Sequence, residues 1–136
     1  MSHLQTAAPV QMRSRAALWA GWILSALISI FIGTGGVNAL LNVPMVVQGV
    51  GRFGFQPSTL PALGVAELLC AVLFLIPRTA ALGCILFTAF FGGAVATHAR
   101  VGDPAWPLPV VAAVLVWVAL LLRDPRFHII RPSRYS

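Results

Sequence analysis

The sequence predicts an all-α fold: a transmembrane four-helix bundle with both termini cytoplasmic and a short interfacial helix between the first and second spans. Three observations predict it. Hydrophobic residues make up 59% of the chain and charged residues 9%, with a mean hydropathy of +0.91, whereas a soluble domain usually carries about 25% charged residues. Four apolar runs approach or reach the length of a membrane span, separated by clusters of Pro, Gly and Arg. The nine basic residues are all arginine and gather at the ends of those runs, which is a membrane-topology pattern and not a phosphate-reading face, so no nucleic-acid partner is expected.

The 136 residues suffice for one domain. It divides into a cytoplasmic tail (1–15), a transmembrane domain (16–122) and a basic cytoplasmic tail (123–136). The opening tail holds Pro9, Gln11, Arg13 and Arg15 and shows no hydrophobic period. The first span is Ala16 to Val37. It exceeds the roughly 7–15 residues of a signal peptide's apolar core, so a signal-anchor helix is expected. Trp19 and Trp22 sit near its entry, where aromatic rings favour the headgroup boundary. Gly33, Gly35 and Gly36 near its exit permit a kink or a close crossing.

Residues Asn38 to Thr59 are too broken to span, yet Val43, Met45, Val46, Val47, Val50, Phe53 and Phe55 keep them apolar. A short helix in the interface followed by a loop fits that mixture. Ser58 or Thr59 is a plausible cap for the second span, with Pro61 in its first turn. That span, Leu60 to Ile76, contains one charged residue, Glu67, near its middle. Leu60, Gly64, Glu67, Ala71 and Phe74 share one helical stripe. Gly64 and Ala71 on either side of the acid would let another helix approach closely.

The turn Pro77-Arg78-Thr79 is short enough to return the third span, Ala80 to Thr97, as an antiparallel neighbour. Gly92, Gly93 and Ala96 on that span suit tight helix contact. After His98, Arg100 and Asp103, the stretch Asp103-Pro104-Ala105-Trp106-Pro107 reads as a polar turn with an interfacial Trp. The fourth span is Leu108 to Leu122. Asp124 as cap and Pro125 at the first helical position then predict a terminal helix through Ile130. Arg126, His128, Arg131 and Arg134 make this tail a partner for anionic headgroups. Seven arginines (13, 15, 78, 123, 126, 131, 134) fall on one side and two (52, 100) on the other. By the positive-inside rule both termini are cytoplasmic, in a multi-pass protein of the cell membrane.

The residue pattern resembles the DoxX-like family of small four-helix membrane proteins. The pieces that carry the resemblance are Gly64-Val65-Ala66-Glu67-Leu68-Leu69, Leu75-Ile76-Pro77-Arg78-Thr79, Gly92-Gly93-Ala94-Val95-Ala96-Thr97-His98-Ala99-Arg100 and Leu122-Arg123-Asp124-Pro125-Arg126. It covers most of the chain from about Phe31. This chain has Asn38 near the place where the family's first helix often ends in Lys. The resemblance implies a four-helix bundle in the cytoplasmic membrane. The family takes its name from a subunit of an archaeal quinol-linked sulfur oxidation system, some relatives are linked to oxidative-stress complexes, and most members have no assigned reaction.

Glu67 is the leading functional candidate, because ionisable residues within a membrane mark sites by default. It reads as a protonatable or ligand-contacting group, or else as a structural acid bonded to a neighbouring helix. His98, Arg100 and Asn38 belong to the same non-cytoplasmic end. Together with Glu67 they are expected to line one outward cavity with Arg52 above it, sized for a polar headgroup such as a quinone ring. The alternative for His98 and Arg100 is interfacial anchoring. Cys70 and Cys84 each lie seven residues from Pro77, at similar depth on a hairpin. They are expected to pack as inert thiols.

No metal-ligand spacing appears. Gly33-Thr34-Gly35-Gly36 lacks the Lys-Ser or Lys-Thr of a phosphate loop. No haem pair, flavin motif or nucleophile elbow is visible, so no resident cofactor is identifiable and independent catalysis is not expected. The expected function is an accessory membrane protein binding a small lipid-soluble ligand or a partner protein around Glu67; the expected partners are membrane lipids and a protein partner or homo-oligomer. The first alternative is a subunit of a quinone-linked oxidoreductase in which Glu67 accepts a proton. A proton-coupled transporter is the weaker one, since four helices are few and no inverted repeat is apparent.

Overall fold

The computed structural model describes residues 14–126. Among them it contains α-helices α1 (Arg15–Leu40), α2 (Pro44–Arg52), α3 (Leu60–Leu75), α4 (Ala80–Arg100) and α5 (Pro107–Arg123), with a 3-10 turn over Pro57–Thr59. There are no strands among the described residues. The proposed helix beyond Pro125 lies almost wholly outside them. Its cap is visible, since Asp124 is extended and its Oδ1 accepts the Arg126 amide at 3.0 Å.

Three helical stretches, Arg15–Leu40, Pro57–Leu75 and Ala80–Arg100, are long and apolar enough to cross a membrane. Helix α5 is shorter at 17 residues, about 25 Å of rise and the lower limit for a span. Packing is cyclic: α1 and α4 each lie against both α3 and α5. Large apolar side chains cover the outside, among them Phe31, Leu27, Ile30 and Leu108. A surface of that kind suits acyl chains and not water.

Acyl chains are as apolar as leucine, so close van der Waals contact must hold the helices together. Glycines provide it at three crossings. A Cβ on Gly21 would stand 2.8 Å from the Arg123 backbone nitrogen, and one on Gly83 would run into the Phe74 backbone. Gly36 and Gly64 make the third crossing, between α1 and α3. Helix α1 therefore continues through the glycines near its end and runs three residues past the expected Val37. It stops where Asn42 takes a left-handed φ of 50°, a conformation Asn tolerates after a helix.

Two local expectations are corrected. On α4 the buried face is Ala80, Gly83, Cys84, Phe87 and Phe91. Gly92 and Gly93 meet nothing within 4 Å, because Gly92 and Ala96 fall on the outward face and Gly93 borders a cavity. Neither Ser58 nor Thr59 caps α3 with its side chain. The 3-10 turn leads straight into the helix, Thr59 is already helical, and its hydroxyl donates to the Gln56 carbonyl at 2.7 Å.

The densest packing lies in the half near the start of α1 and the end of α5. Phe74 meets Phe87 edge-on at 5.5 Å between centroids, and Phe87 stacks on Phe91 at 5.6 Å. Cys84, Val116, Ala119 and Leu120 close around them. Both cysteines are free and buried there. Hydroxyls on the helices turn back to their own backbone, as Ser25 does to Gly21 at 2.7 Å and Thr88 to Cys84 at 2.9 Å. That removes the need for water in an apolar surrounding.

Candidate functional site

The opposite half is hollow. One cavity of about 450 Å³ is walled by Val50 and Phe53 of α2 and its loop, Leu63 and Glu67 of α3, and Phe90 and His98 of α4. A second, of about 440 Å³, lies on the other side of α4 among Leu27, Phe31, Phe91, Leu108 and Ala112. Phe90, Ala94 and His98 recur four residues apart and border both.

Of the α3 stripe Leu60, Gly64, Ala71 and Phe74 are buried, and Glu67 is half-buried. The close crossing brings α1 over the acid. A Cβ on Gly35 would stand 2.9 Å from Glu67 Oε2, so the carboxyl reaches into room that only glycine leaves. That oxygen is sealed from solvent and has no hydrogen-bond partner among the described residues. An unpaired polar oxygen in apolar packing is costly, and a carboxyl that turned from Gly35 into the cavity would relieve it by meeting a donor there.

His98 is set by the turn that follows α4. Its Nδ1 lies 3.1 Å from Asp103 Oδ2, while Asp103 Oδ1 accepts the Ala105 amide at 2.9 Å. The Ala105 amide, with a smaller contribution from His98, holds the Asp103 carboxyl below its ordinary value. With Nδ1 donating to Asp103, Nε2 is the nitrogen left for a ligand. The Phe53 ring meets the imidazole edge-on at 4.6 Å. Arg100 donates through Nη2 to the Phe53 carbonyl, which ties the loop after α2 to the end of α4.

Among the five expected site residues, Glu67 and His98 share the cavity wall. Arg100 acts from outside it, through the backbone of Phe53. Arg52 is exposed at the end of α2. Asn38 sits in the last turn of α1, where its carbonyl accepts the Val43 amide at 3.0 Å, and it does not border the cavity. Asp103, Phe53 and Phe55 complete the site and escaped the sequence reading. The signal for Asp103 was its spacing five residues beyond His98, the reach of one closing turn. The described residues contain no group of His, Cys, Asp and Glu able to hold a metal.

No curated protein and no solved structure matches the chain. A family model described as the DoxX-like family matches residues 23–119, from within α1 to within α5. Together with three apolar helices of spanning length it points to a membrane protein. On a match of that extent, the chain belongs to the DoxX-like family.

Proposed function

We propose that this protein is an accessory component of the cell membrane, a transmembrane four-helix bundle that holds a small lipid-soluble ligand between Glu67 and His98. Both termini face the cytoplasm in this reading, on the strength of the arginine excess at that end. The cavity then opens toward the non-cytoplasmic side beneath α2, which lies in the interface. The observation that carries the proposal is Glu67 in the wall of a cavity of about 450 Å³ whose other ionisable wall residue is His98, with its carboxyl left unpartnered at Oε2, the oxygen turned toward Gly35. A ligand with hydroxyls on a flat ring can donate to the carboxylate and to Nε2, and the apolar remainder of the wall accepts its body.

A quinone ring in its reduced, hydroxyl-bearing form is the specific form of this ligand, and it places the protein beside a quinone-linked oxidoreductase as an accessory subunit. Support comes from the acid and the imidazole at one cavity, one on each of two helices. The test is gentle purification followed by mass spectrometry of retained small molecules. The wild type is expected to carry a lipid-soluble ring compound, and Glu67→Gln to lose it while remaining folded. Equal retention by the two proteins, or none by the wild type, overturns the proposal.

A further inference from the structure

At the end opposite the Glu67 cavity, a separate hollow of about 320 Å³ is lined by Trp22, Pro77, Arg123, Asp124 and Arg126. Arg123 is only 6% exposed. Its guanidinium lies between the rings of Trp22 and Phe74, 4.7 and 4.4 Å from their centroids. One amino group donates to the Phe74 carbonyl. The remaining nitrogens, Nε and Nη1, have no partner among the described residues. The aromatic faces and the charge of neighbouring Asp124 offset part of the cost, but a buried guanidinium with two unbonded nitrogens still lacks acceptors.

No carboxylate among the described residues accepts from those two nitrogens. The chain has three acidic residues in all. Glu67 is at the other cavity, and Asp103 is engaged by His98 at the far end. Asp124 is taken up by Arg126, whose Nε lies 3.1 Å from Oδ1 and whose Nη2 lies 3.2 Å from Oδ2. The same Nη2 also donates to the Pro77 carbonyl at 2.7 Å, fixing the guanidinium across the mouth. Two guanidinium groups and one carboxylate leave the hollow with a net positive charge. Arg15 and Arg78 at the same end are exposed and outside the hollow, where solvent screens them.

We propose that this hollow binds a phosphate oxyanion, from a phospholipid headgroup or from free phosphate, between Arg123 and Arg126. Arginine suits the task because its planar fork matches phosphate oxygens, and Trp22 stands where an interfacial ring would pack against the rest of a headgroup. The site is independent of the Glu67 ligand.

The test uses the full chain in two arms. In a non-ionic detergent, thermal unfolding is followed with inorganic phosphate against chloride at equal ionic strength. In nanodiscs, retention of phosphatidylglycerol against phosphatidylcholine is read by native mass spectrometry. Wild-type protein is expected to be stabilised by phosphate or to retain phosphatidylglycerol selectively, and the arm that responds identifies the source. Arg126→Gln, at an exposed side chain, is expected to weaken the response roughly ten- to hundredfold, the loss of one charge-assisted contact. Arg123→Lys keeps the charge without the fork and is expected to weaken it as well. Arg78→Gln, outside the hollow, is expected to leave it unchanged. No response in either arm, an undiminished response in Arg126→Gln, or an equal loss in Arg78→Gln overturns the proposal.

Discussion

Gly36 of α1 and Gly64 of α3 each occupy the space the other's side chain would need. A Cβ on Gly64 would stand 2.6 Å from the Gly36 carbonyl oxygen, and one on Gly36 would stand 2.8 Å from that of Gly64. The two helices therefore meet backbone to backbone one turn from Glu67, and α1 becomes the roof over that acid. Gly64→Ala is expected to force them apart and lower stability by about 1–3 kcal/mol, the usual cost of overpacking. Gly92→Ala is the matched control, with nothing within 4 Å, and should be neutral or slightly stabilising. Unfolding in mixed detergent micelles measures both, and equal midpoints would contradict the crossing.

Gly35 separates packing from function. Its added methyl would meet only the end of a flexible side chain, Glu67 Oε2 at 2.9 Å. Gly35→Ala should thus keep the unfolding midpoint within about 0.5 kcal/mol of wild type. Retention of the small molecule should fall several-fold as the carboxyl is displaced. A variant that binds normally would show that the position of the carboxyl over α1 is irrelevant to the ligand.

Asp103 predicts an acid-sensitive turn. Its folded value lies below the ordinary 3.8, chiefly because the Ala105 amide donates to it. A lowered folded value means the contribution is complete above the ordinary value and fades as pH falls through the folded one. The Ala105 amide resonance should therefore titrate with a midpoint below 3.8, and Asp103→Asn should abolish that titration. A midpoint at or above the ordinary value would remove the carboxylate from the account of how His98 is held.

Cys70 and Cys84 are 4% and 0% exposed, in the dense half of the molecule. Neither thiol should react with a maleimide in the folded protein over hours, and both should react within minutes after unfolding in SDS. Rapid labelling of Cys84 in the native state would show that the Phe74–Phe87 core opens.

Loosening the loop after α2 should change access more than affinity. Phe53 touches His98, and its carbonyl accepts from Arg100. Phe53→Ala removes a wall of the cavity without touching Glu67. Exchange of the retained compound into detergent is expected to quicken by about tenfold or more, for the loss of roughly 1.4 kcal/mol of closure. Unchanged exchange kinetics would mean that the Phe53 side chain does not control access to the cavity.

Much of this protein can be read from its amino-acid order, because membrane spans announce themselves locally. Apolar runs, the arginines at their ends and the short Pro77-Arg78-Thr79 turn gave each long helix to within a few residues. The stripe through Leu60, Gly64, Glu67, Ala71 and Phe74 identified the inner face of α3, since helical periodicity alone determines which residues share a side. What periodicity does not contain is the partner across the gap. Gly83, and not Gly92 or Gly93, became the tight contact on α4, because α3 and α5 pack on that helix from one side and bury only that face. Asp103 joined His98, Arg123 slid between Trp22 and Phe74, and Arg100 turned to the Phe53 backbone, each through contacts formed after the helices had packed. Hydrophobicity is a property of single residues and sorts them by solvent. A site is a property of distances between residues remote in sequence, and those distances exist only in the folded chain.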